Sequence, residues 1–105
     1  MSVLPANDSL QTLQAYVWQI NEERGFTTED ATQKMLMLTE EVGELAKAVR
    51  KLAGLKFSDT TKRTELSDEL ADVLIVLLGL GSMVGIDMYQ AFLAKEAKNR
   101  KRVWR

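Results

Sequence analysis

The chain has 105 residues, a formal net charge of -1 and a hydrophobic content of 46%. These values describe one folded domain with a modest core, spanning 1–105, and leave no global field to recruit nucleic acid or acidic lipid. Cysteine and histidine are both absent, which excludes disulfides, Cys/His zinc sites, thiol nucleophiles and His-based triads; any metal must be held by Asp and Glu.

Residues 1–8, with the single proline Pro5, read as a flexible lead-in. They lack the basic region and apolar run of a signal peptide, so the expected location is the cytoplasm. Ser9 or Asp8 caps a first helix of about 10–24, in which Leu10, Leu13, Val17 and Ile20 recur at helical spacing and Gly25 is the stop. Thr28 or Asp30 caps the second, about 31–53, where Met35, Leu38, Val42, Leu45, Val49 and Leu52 form an amphipathic stripe and Gly54 ends the run. A short loop at Leu55–Asp59 leads to a third helix, about 61–85. It becomes apolar on nearly every side from Leu70 onward, which predicts that part of it packs against another chain. Its uncharged run, Val73 to Ile86, is short of the roughly 20 residues that span a bilayer, so no membrane is expected. Gly79, Gly81 and Gly85 either allow close packing or mark a kink. Asp87, with Gln90 as its capping-box partner, opens a last helix of about 88–102. No strand-period alternation occurs, so the class is all-α: a four-helix bundle completed by oligomerisation.

Two acidic blocks stand out: Glu40-Glu41-Val42-Gly43-Glu44 on the second helix and Glu69-Leu70-Ala71-Asp72 on the third. Residues three or four apart share a helix face. Glu41 and Glu44 share a stripe with Met37 and Ala48, and Glu69 and Asp72 share one with Val76, Leu80 and Met83. Both pairs therefore continue apolar stripes, and carboxylates facing a core cost several kcal/mol unless paired, protonated or metal-bound. Four such groups between two helices suit Mg²⁺, a hard cation that takes oxygen ligands. The competing reading is a set of surface acids balanced by Lys47, Arg50 and Lys51. One block alone favours that reading; two on consecutive helices favour the metal. A di-iron carboxylate bundle in its usual form needs Glu-x-x-His pairs and is excluded.

On the last helix, Lys95, Asn99 and Arg102 follow Met88 and Phe92 at steps of three and four, so one face passes from apolar to cationic. Such a face suits a triphosphate, although basic residues also complement a helix C-terminus with no ligand at all. Trp18 and Phe26 are the aromatics able to stack on a base, with core or interface packing as the alternative.

With these residues in view, the chain resembles the MazG-type nucleoside triphosphate pyrophosphohydrolases of the all-α NTP pyrophosphatase superfamily. The resemblance rests on the ordered pair Glu40-Glu41-x-x-Glu44 and Glu69-x-x-Asp72, with Arg24-Gly25-Phe26 before them and Lys95-x-x-x-Asn99-Arg100-x-Arg102 behind. It implies Mg²⁺-dependent hydrolysis of (deoxy)nucleoside triphosphates to monophosphate and pyrophosphate, with Mn²⁺ as a substitute ion and nucleotide-pool house-cleaning as the role. It assigns Glu41, Glu44, Glu69 and Asp72 to the metal and Glu40 to an auxiliary place. It assigns Lys95, Asn99 and Arg102 to substrate phosphates, and it implies a homodimer or a dimer-of-dimers tetramer. With no histidine to take the water's proton, Glu41 or Glu44 is the expected catalytic residue that orients the attacking water. The alternative is a non-catalytic oligomeric helical bundle that binds nucleotides or a protein partner.

Overall fold

The computed structural model describes residues 4–5, 8–25, 29–53 and 60–102. Four helices account for almost all of them: α1 (Leu10–Glu23), α2 (Ala31–Leu52), α3 (Thr60–Met83) and α4 (Met88–Arg100). No strand occurs among the described residues. The expected boundaries hold to within two residues. Thr28, Gly54 and the Leu55–Asp59 connection lie outside the described residues.

Capping chemistry explains the starts. The Ser9 hydroxyl accepts from the Thr12 amide, and Asp30 forms a reciprocal capping box with Gln33. Asp87 accepts from the Gln90 amide at 3.0 Å; the expected return contact from the Gln90 side chain is not formed among the described hydrogen bonds. Glycine explains two of the stops. Gly25 and Gly85 both adopt φ +75°, open to glycine at little cost. At the end of α3, Gly85 N–H donates to Ser82 O and Ile86 N–H to Gly81 O, which is a Schellman closure. That turn sends α4 off at 95° to α3.

α3 is the axis of the molecule. α2 packs along it, α1 lies against its C-terminal half, and α4 leans on the start of α1. Gly79 and Gly81 permit the α1 approach: a Cβ at Gly79 would stand 3.1 Å from Asn21 Nδ2, and one at Gly81 3.2 Å from Gln14 Nε2. The glycines therefore serve close packing inside α3, and Gly85 serves the turn. The buried apolar residues are Val17, Ile20, Ala48, Leu52 and Leu78. No single helix among the described residues is long and apolar enough to cross a membrane.

α2 does not bury its apolar stripe in the expected way. Lys34, Ala48 and Leu52 are its buried residues, while Met35, Val42 and Val49 are each about half exposed. At about 100° per residue, Lys34, Glu41, Ala48 and Leu52 form one inward line, and Met35, Val42 and Val49 form another about a quarter-turn away. The acid-bearing line faces α3, and the apolar line faces out.

Candidate active site

The inward line of α2 crosses α3 where Glu69 and Asp72 share a face. One carboxylate oxygen each from Glu41, Glu69 and Asp72 come within 4.8 Å of one another. Glu41 and Glu69 are half-buried and Asp72 is exposed, so the cluster has a protein floor and an open side. Burial pushes the Glu41 carboxyl above the usual carboxylate range, and the charges of Asp72, Glu69, Glu44 and Glu40 push it further the same way. Glu69 Oε2 is sealed from solvent with no hydrogen-bond partner. None of the ion pairs found among the described residues involves these three carboxylates. An anionic trio with an orphaned buried oxygen lacks a cation, and the all-oxygen donor set suits a hard divalent ion. The residues present fit a metal.

Glu44 does not join the trio. The inward line runs on through Ala48, and Glu44 lies about 60° to one side of it, exposed and 3.7 Å from Lys47. Glu40 is exposed as well. Both stand close enough to raise the Glu41 proton affinity. Two turns before Glu41 on the same line sits Lys34, a residue the reading of the acidic blocks passed over. Its side chain is 4% exposed, and its ammonium lies 3.0 Å from Glu29 Oε2. The signal was the seven-residue spacing to Glu41, hidden because Lys34 follows the polar pair Thr32-Gln33 and reads as part of a solvated first turn.

Lys95, Glu96 and Asn99 face a second feature, a cavity of about 430 Å³ between α3 and α4 that Leu10 of α1 also lines. Its apolar wall includes Leu74, Leu77, Leu78 and Phe92. At about 100° per residue, those three leucines lie on roughly the opposite side of α3 from Glu69 and Asp72. Within one chain, then, the acidic trio and the Lys95–Asn99 rim of α4 face away from each other. Arg102 lies just beyond the end of α4, its amide bonded to Asn99 O at 3.1 Å. Trp18 borders a separate shallow pocket with Gln11, Gln14, Ser82 and Asp87, at the far end of α3 from the trio. Phe26 lies outside the described residues.

Comparison with known proteins bears on this arrangement. The MazG nucleotide pyrophosphohydrolase domain matches residues 29–104, a span that takes in both acidic blocks and the basic end of α4 and leaves out α1. A dATP/dGTP diphosphohydrolase of Cyanophage S-2L is 40% identical over 62 residues, covering 59% of this chain and 56% of that protein. The chain thus spans about half the length of that relative.

Proposed function

The chain belongs to the MazG nucleotide pyrophosphohydrolase domain family, and from that premise we propose that it hydrolyses (deoxy)nucleoside triphosphates to monophosphate and pyrophosphate. The observation that carries the reading is the convergence of Glu41, Glu69 and Asp72 around a Glu69 oxygen with no partner.

In this reading the trio holds Mg²⁺, with Mn²⁺ able to replace it. Bound there, the cation offsets phosphate charge and acidifies a water. Glu41 and Glu69 form the floor on which the cation would be held. Exposed Asp72 forms the side by which the substrate enters. Glu44 stands beside the trio, and we assign it to orienting the attacking water; Glu40 is auxiliary. Lys95, Asn99 and Arg102 take the β- and γ-phosphates. Because Lys95 and Asn99 lie across α3 from the trio of their own chain, they serve the trio of a second copy, in a homodimer or a dimer of such dimers. The outward apolar line of α2 and the exposed Leu70, Leu74 and Ile75 of α3 supply the surface for that pairing. Clearance of surplus or damaged nucleotides in the cytoplasm is the role this chemistry serves.

The test is release of pyrophosphate from a panel of ribo- and deoxynucleoside triphosphates, with Mg²⁺ and with EDTA. The relative's name places dATP and dGTP first in that panel. The expected result is monophosphate plus pyrophosphate, abolished by EDTA. A folded protein that binds nucleotides and releases nothing would replace this reading with a non-catalytic binding bundle.

A further inference from the structure

α4 has no buried residue. Beyond the glycine turn and the packing of Met88 against Gly81, polar contacts hold its direction. Gln14, on α1, is buried to 7% exposure and spends both arms of its amide on the turn that launches α4. Its Nε2 donates to Ile86 O at 2.8 Å, and its Oε1 accepts from Met88 N–H at 2.9 Å. One turn earlier, Gln11 Nε2 donates to Asp87 Oδ2 at 2.8 Å. Asp87 in turn caps α4 by accepting from Gln90 N–H, and these contacts hold its carboxyl below the usual range. Helix starts leave their first amides without intrahelical partners. Here a different helix supplies part of the cap, so the start of α4 is bolted to α1.

We propose that Gln14 is a positioning residue for the phosphate-binding face of α4. This rests on the reading of the site given above. Lys95 and Asn99 line the cavity against Leu74 and Leu77 only while α4 keeps its 95° bend from α3. The Gly85 turn makes that bend, and Gln14 braces it by holding two main-chain groups on either side of Asp87. It touches no substrate; it acts through the placement of Lys95. The family match begins after α1, so Gln14 lies outside the matched residues while its partners Ile86 and Met88 lie within them.

The experiment compares Gln14→Leu with wild type in steady-state hydrolysis of the best triphosphate, with inhibition by pyrophosphate measured alongside. The expected result is a rise of roughly tenfold in KM and in the pyrophosphate inhibition constant, with kcat and the Mg²⁺ requirement little changed. Gln14→Leu placed on Lys95→Ala should then add less than about twofold, because both changes remove one interaction. Unchanged KM, or effects of the two substitutions that multiply in full, overturn the proposal. If Gln14→Leu does not fold, Gln11→Ala removes only an exposed contact and must raise KM in the same direction, by about twofold. A wild type silent on every triphosphate overturns the site reading instead. The latch then stands or falls on hydrogen exchange at residues 88–100, which must be faster in Gln14→Leu than in wild type.

Discussion

Without a cation between them, the carboxylates of Glu41, Glu69 and Asp72 repel one another, and the effect can be followed at Glu41. Its folded-state pKa is raised, by burial first and by its acidic neighbours second. Between the ordinary carboxylate value and that raised value, the native state holds more protons than the unfolded chain. Stability therefore falls as pH climbs through that window, is unpenalised below it and is fully penalised above it. Glu41→Gln removes the titrating group and keeps the shape. In EDTA at neutral pH the variant should melt a few degrees above wild type, roughly the size of an ordinary function–stability trade-off. The gap should close near pH 4, where wild-type Glu41 is protonated. Millimolar Mg²⁺ should reverse the order, since a ligand stabilises the state that binds it, and turnover should drop by about a hundredfold or more in the variant. A thermal scan with and without Mg²⁺ checks all three. A variant that melts with or below wild type in EDTA at neutral pH would contradict the charge-strain argument.

At the scale of the helices, Gly81 separates packing from propensity. A Cβ there would sit 2.8 Å from both Cγ and Sδ of Met88, and 3.2 Å from Gln14 Nε2. At Gly79 the nearest atoms are Asn21 Nδ2 at 3.1 Å and Val17 Cγ1 at 3.6 Å. Alanine gains about 1 kcal/mol over glycine inside a helix, so the two sites differ in what opposes that gain. Gly79→Ala need only nudge the end of Asn21 and should leave stability within about 0.5 kcal/mol or better. Gly81→Ala displaces Met88, whose amide Gln14 holds, and should cost about 1–2 kcal/mol net. Urea unfolding resolves the pair; equal stabilisation by both would show that the α1–α3–α4 junction is loose. The helices themselves were legible because caps and glycines at Ser9, Asp30, Asp87, Gly25 and Gly85 are local chemistry. The direction in which α2 faces was not. Its apolar residues Met35, Val42 and Val49 suggest one inward face, yet one neighbouring helix covers only part of the circumference, and the line of Lys34, Glu41 and Ala48 won the contact with α3. Glu44 was grouped with Glu41 on spacing and on the family pattern; which of the two carboxylates meets Glu69 and Asp72 depends on where α3 crosses α2, and that is not legible until the facing helix is placed. Gln14 gave no signal at all, since its partners are main-chain groups some seventy residues away.

At the scale of the whole molecule, large apolar side chains stay exposed among the described residues, Leu70, Leu74, Ile75, Phe92 and Leu93 included. In the proposed reading the acidic trio and the Lys95 rim lie on opposite sides of α3, and a second copy supplies what each chain's site lacks. That arrangement makes a prediction no single-chain site shares. Glu69→Gln spoils the metal end and Lys95→Ala the phosphate end, and at substrate well below the raised KM each homo-oligomer should show only a small fraction of wild-type activity. Unfolded together in equal amounts and refolded, half of the pairs are mixed, and each mixed pair holds one doubly damaged site and one intact site. The mixture should recover about a quarter of wild-type activity. Recovery on co-refolding, and none on simple mixing of stably folded variants, places the two halves of the site on different chains. Failure to recover, with both variants shown to pair by light scattering, places them on one chain and requires α4 to swing around α3 instead.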